Sequence, residues 1–223
     1  RSVKRSETLL AKWSAAHGQA SARAASAQNA AQQLEMREVN RLIERVRTLM
    51  RAADTRRAQG VLDETKRKSA VDKIAPKPWT NPFDCPGLAN ANAALSKAER
   101  TNSVDDWKQA ADLTEALLTS QTASSDANTK DKLRVHAAYT WFRTEVDRAN
   151  QEVKDILAAR VDLETSIAFK AMPGKQAIID EFVGWCGRAR DVDKKVSEQC
   201  EQAQRLYRSL WEKESALARF GEA

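Results

Sequence analysis

The sequence predicts an all-α protein: an elongated antiparallel bundle of three long helices, with shorter helices and a Pro-rich loop at one end. Three observations carry this prediction. Only seven of the 223 residues are Gly and five are Pro, too few for a loop-rich or all-β chain. Ala, Arg, Lys, Glu, Gln and Leu dominate, and all are strong helix formers. Apolar residues also recur at steps of three and four over several long stretches, the spacing that puts them on one face of a helix. We expect a single elongated domain over 1–223.

The first long helix is expected over 6–72. Its middle carries the stripe Met36, Val39, Ile43, Val46, Met50, Ala53, stepping 3-4-3-4-3. Nearer its start the stripe turns to alanine: Ala20, Ala24, Ala27, Ala31, then Leu34. Both stripes read as packed seams, although alanine buries little area per residue. Leu34 to Met36 is a slip of phase, so the two do not form one continuous seam.

Four of the five prolines, Pro76, Pro78, Pro82 and Pro86, fall within eleven residues and define a loop over 73–88. Each X-Pro step pushes the preceding residue into an extended conformation, so the loop is stiff. Short helices are expected over 89–119. Ser103 is placed to cap the second of them, with Asp105 and Asp106 in its first turn.

The helix expected over 130–171 has the clearest pattern. Val135, Tyr139, Phe142, Val146, Ala149, Val153, Ile156, Arg160, Leu163 and Ile167 step 4-3 throughout, with Arg160 the one polar position. Arg160 has two readings, a polar register contact inside the bundle or, more commonly at such positions, a charged head that reaches solvent from a buried stem. Met172-Pro173-Gly174 is a tight turn, and 174–220 answers with Phe182, Trp185, Ala189, Val192, Val196, Gln199, Ala203, Leu206 and beyond. Two long helices joined by so short a turn lie antiparallel. Neither seam can bury itself alone, so the first helix is expected to complete the bundle, with the Pro-rich loop and the Pro173-Gly174 turn at the same end.

Chemical motifs do not appear. There is no nucleophile elbow, phosphate-binding glycine loop, HExxH or dinucleotide fingerprint, so no catalytic residue, cofactor or metal ligand is assigned and the chain reads as non-enzymatic. His17 and His136 are far apart in sequence, and the three cysteines have no zinc spacing. Cys186 and Cys200 are separated by about 21 Å along one helix, beyond the ~7 Å a disulfide spans between Cα atoms. If a disulfide forms, Cys85 must be a member, and Cys186 is its expected mate. No Asn-x-Ser/Thr sequon occurs, and no apolar run is long enough to cross a membrane. The chain opens on Arg1 rather than Met, which reads as a processed or trimmed chain.

The net charge of +6 is uneven: residues 1–72 hold fifteen Lys and Arg against eight Asp and Glu, while the remainder nets −1. Two surfaces are candidates for binding a partner. Trp79, Asn81 and Phe83 stand on the restricted loop backbone, outside the helical seams, where aromatic side chains make good anchors. The alternative is a basic face around Arg41, Arg45 and Arg51, flanked by Arg37, Arg56 and Arg57, with Glu35, Glu38 and Glu44 interspersed as helical partners. That face would suit nucleic acid or an anionic surface, but it lacks the aromatic pattern of nucleic-acid binders, so a protein partner is favoured. A helical scaffold inside the cell or associated with secretion is a further alternative. Oligomeric state is left open.

The layout resembles the helical-bundle ectodomains of trypanosome surface receptors, the group that includes the haptoglobin–haemoglobin receptor and the invariant surface glycoproteins. The likeness lies in a very long Ala-rich first helix, with its run Arg23-Ala-Ala-Ser-Ala-Gln-Asn-Ala-Ala-Gln-Gln33, a Pro-containing loop, shorter helices, and the hairpin around Met172-Pro173-Gly174. It implies a cell-surface protein, lipid-anchored beyond its C-terminus, that binds a macromolecule at its membrane-distal end. A cytoplasmic location is the alternative.

Overall fold

Helix is the only regular structure among the described residues, so the all-α class holds. The structure is a computed structural model that describes residues 2–74, 85–121 and 127–221, with side chains described over 10–74, 85–120 and 129–209. Six helices follow in order: α1 (Ser2–Asp72), α2 (Leu88–Thr101), α3 (Val104–Gln121), α4 (Ala127–Thr165), α5 (Ile167–Ala171) and α6 (Lys175–Gly221). The chain divides into two compact units, Arg1–Thr48 with Leu157–Ile178, and Leu49–Ile156 with Ile179–Ala223.

In the first unit the buried side chains are Val39, Ile43 and Val46 of α1, Ala159 and Leu163 of α4, and Phe169 of α5. Arg45 donates to Asp162 across the unit at 3.4 Å, which fixes the register of α1 against α4. The hairpin expected to run unbroken to 171 is interrupted at Ser166. Its side chain accepts the Phe169 amide and caps the short α5, turning Phe169 inward and leaving Ile167, a predicted seam residue, exposed. Gly174, with φ 78°, then supplies the left-handed backbone of the turn into α6.

That turn limits how much of α1 can be covered. Every side chain of α1 from residue 10 to residue 38 is exposed, the alanine stripe and Met36 included. The expectation that Ala20, Ala24, Ala27, Ala31 and Leu34 form a packed seam within the chain is therefore corrected. With Arg45 opposite Asp162, the turn at 172–174 falls opposite residues 33–35, so the residues before Leu34 run past the point where the hairpin folds back. The phase slip between Leu34 and Met36 marks where α1 leaves its core.

In the second unit α4 is the central helix. From Lys132 to Thr144 it is buried on nearly all sides, because α1, the α2–α3 hairpin and α6 surround it. The core joins Val71 of α1, Leu95 and Ala98 of α2, Trp107 and Ala110 of α3, Ala138, Tyr139 and Phe142 of α4, and Cys200 and Ala203 of α6. Tyr139 meets Trp107 edge-on at 5.8 Å and stacks on Tyr207 at 5.2 Å. Buried hydroxyls are satisfied within their own helices: Thr114, Thr140 and Thr144 donate to carbonyls four residues earlier. Gly87 enters α2 with φ 89°, and a Cβ there would stand 2.8 Å from Leu117. Ser103 contributes its carbonyl to the first turn of α3, accepting the Trp107 amide at 3.0 Å.

Contacts within this unit also give helix directions. Asp54 meets Trp185, Arg57 meets Asp193 and Asp72 meets Gln202, so α1 and α6 run the same way. α4 opposes both, with Arg56 on Glu152 and Tyr139 beside Gln204. The end of α1 thus lies beside Gln202 and Leu206, some thirty residues along from Gly174. Within this unit the Pro-rich loop therefore begins beside Gln202 and Leu206 of α6, because α1 runs in the direction of α6.

Candidate functional site

Trp79, Asn81 and Phe83 lie outside the described residues. Their flanks are anchored: Ile74 packs with Val135, and Cys85 packs with Leu88 and Leu133. No disulfide joins Cys85 to Cys186, and the expected pairing is corrected. Leu133, beside Cys85, precedes Tyr139, which stands opposite Gln204. Cys186 adjoins Trp185, eighteen residues before Gln204 and about 27 Å away along α6. A bond spanning ~7 Å between Cα atoms cannot cross that distance.

The basic face is largely matched by its own carboxylates. Arg41 makes a two-pronged contact with Glu38 at 2.8 and 2.6 Å, which raises the arginine pKa and lowers that of the glutamate. Arg45 is engaged with Asp162. Arg51 is exposed on α1 in the second unit. Arg56 and Arg57, read from sequence with this face, are turned into the second unit's interior.

There they build a polar network between α1, α4 and α6. Arg56 bridges Glu145 and Glu152, and Arg57 reaches Glu152 at 3.3 Å and Asp193 at 2.8 Å. The Arg57 guanidinium also lies over the Trp185 ring at 5.5 Å, and the indole N–H donates to Asp54 at 2.9 Å. Burial disfavours the charge on Arg56, but the hydrogen bond and charge of Glu152, helped by Glu145 and Asp193, outweigh it and raise its pKa. Each charge has opposite partners, so the network fixes register and orientation. It holds no unmatched nucleophile or base. Arg160 is half-buried and turns to Glu164 one turn on along its own helix.

A second polar feature escaped the sequence reading. His136 is 3% exposed, its Nε2 lacks a hydrogen-bond partner, and its ring lies 5.1 Å from that of Tyr207. Burial pushes its pKa down to about 4 and, with Glu99 and Cys200 nearby, pushes the Tyr139 phenol up to about 12. Burial likewise raises the Cys200 thiol to about 11, which keeps it protonated and unreactive near neutral pH. Among the described residues no group of His, Cys, Asp and Glu is arranged to hold a metal ion.

The remaining feature is apolar and lies in the open. Leu10 and Trp13 are each 70% exposed, and Leu34 is 63% exposed, all on the uncovered part of α1. Trp13 and His17 touch along one face, ring centroids 5.5 Å apart. From Trp13 to Leu34 the only residue carrying a formal charge is Arg23. A solvent-exposed helix in a chain with 30% charged residues ordinarily alternates charges along its surface, and this one does not.

The chain matches no protein-family model, no curated protein and no solved structure. The likeness to trypanosome receptors therefore stands on the layout and residues given for it alone.

Proposed function

We propose that the chain is a non-enzymatic helical scaffold that binds a protein partner along residues 10–38 of α1. One observation carries the reading: nearly thirty consecutive helical residues are uncovered while presenting Leu10, Trp13 and Leu34. Large apolar side chains on a helix with so little charge are the composition of an interface, where aromatic anchors concentrate binding energy. Nucleic acid is disfavoured as the occupant, because a single arginine between Trp13 and Leu34 supplies almost no phosphate contacts. The proposal shifts the site from the loop carrying Trp79 and Phe83 to the uncovered helix.

The same proposal includes one elongated antiparallel bundle over the whole chain. Its support is that α1, α4 and α6 each contribute residues to both compact units. Small-angle scattering should then give a radius of gyration well above the ~17 Å of a compact globule of this length, and a compact value would refute it.

The binding reading is tested by placing a photo-crosslinking residue at Trp13, and at exposed Lys194 as a control, in chain incubated with extract of its own source cells. Adducts confined to position 13, identified by mass spectrometry, support it. Equal labelling at both positions, or none at either, refutes it.

A further inference from the structure

The uncovered face has a regular pattern of its own. Leu10, Trp13, His17, Ala20, Ala24, Ala27, Ala31 and Leu34 step 3-4-3-4-3-4-3, and all eight are exposed. This is a coiled-coil seam lacking its second helix among the described residues. The order of sizes along it is informative: bulky residues at one end, four alanines in succession, and a leucine at the other end.

We propose, building on the binding reading above, that the partner helix is the same segment of a second copy of this chain, packed antiparallel about a two-fold axis near residue 22. That arrangement sets Leu10 against Leu34 of the second copy, Trp13 against Ala31, His17 against Ala27, and Ala20 against Ala24. Each bulky ring meets a small residue, so large and small alternate across the seam as close packing requires. The two central Ala–Ala layers bring the backbones near the ~8 Å lower limit of helix packing. A parallel pairing would stack Trp13 on Trp13 and His17 on His17. Those layers would hold the helices apart and leave voids along the four alanine layers beside them. Charge opposes self-pairing only weakly: Arg23 is the only formal charge from Trp13 to Leu34, and the two-fold sets it beside Arg23 of the second copy as a single exposed like-charged pair at the seam edge.

The seam also sets the strength of the dimer. Its length is about 36 Å, and two strips about one helix diameter wide bury on the order of 800 Å² together, somewhat below the ~1,000 Å² of a stable specific interface. Alanine layers add contact but few anchors, so association is reversible, with Kd on the order of 1–100 µM.

The test uses the full chain. Sedimentation equilibrium from about 1 to 300 µM should show the mass rising from 24.8 kDa toward twice that value. Ala24→Glu places a carboxylate at the seam centre and should hold the chain monomeric with unchanged thermal melting, since Ala24 is exposed in the single chain. Orientation is read by a short bismaleimide on Leu10→Cys and Leu34→Cys chains, each on a Cys186→Ser background. The mixture should crosslink 10 to 34, and either chain alone should not, because its own sites lie about 36 Å apart. Self-crosslinking of each variant alone overturns the antiparallel geometry. A monomer at all concentrations overturns self-pairing. In that case adducts of another protein at position 13 leave the binding reading intact, and their absence removes both.

Discussion

His136 provides a direct test of the packing around α4. An unfolded histidine takes up a proton near pH 6.5, whereas burial holds His136 down to about 4. Between those values the unfolded chain binds a proton that the folded chain excludes, so stability is full above pH 6.5 and falls as pH drops toward 4. At 1.36 kcal/mol per pH unit the loss is about 1.4 kcal/mol at pH 5.5 and about 2.5 kcal/mol at pH 4.5. Asp147 works against this trend. Burial raises its pKa against the pull of Arg143 and Lys154, so its protonation favours the folded state as pH falls. The assay must therefore compare two proteins. Urea unfolding at pH 7.5, 6.5, 5.5 and 4.5 should show the wild type losing stability faster than His136→Leu, and the difference between the curves isolates the histidine. Superimposable pH profiles would refute the burial of His136 and the placement of α6 against α4.

Three further outcomes follow from the packing. Ile156→Ala, at a position 2% exposed, should cost about 2–5 kcal/mol in thermal or urea unfolding, and Leu206→Ala markedly less, because Leu206 is only half-buried where the seam pattern alone would have it fully covered. Arg57→Ala strands Asp193, while Glu152 keeps Arg56, and should cost about 3–5 kcal/mol, whereas the similarly sized Arg57→Met paired with Asp193→Leu should recover most of that loss. Timed alkylation of the native protein should modify Cys186 first and leave Cys85 and Cys200 protected until unfolding, with an intact mass showing three reactive thiols in denaturant.

Helix content, helix ends near Asp72 and Gly174, and the inward face of α4 at Val135, Tyr139, Phe142, Ile156 and Leu163 were legible in the sequence. A 3-4 repeat and the placement of Pro and Gly depend only on local geometry. The phase slip at Leu34–Met36 was legible too, but its meaning was not. Periodicity gives the face of a helix without saying whether anything stands opposite it. The alanine stripe read as core because the pattern is the same for a covered seam and an open one.

Tertiary structure alone decided the rest. The heptad marks one face of α4, yet the α2–α3 hairpin and α6 enclose others, and this buries Lys132, His136, Thr140 and Thr144 among apolar neighbours. Arg56 and Arg57 look like the rest of a basic ridge, and only the approach of Glu145, Glu152 and Asp193 from other helices turns them inward. The shared direction of α1 and α6 sets Cys85 far from Cys186, which residue spacing could not reveal. In each case the sequence determined which way a side chain leaves its own helix. What it met there depended on which helix packed alongside and in which direction, a long-range matter that local periodicity does not encode.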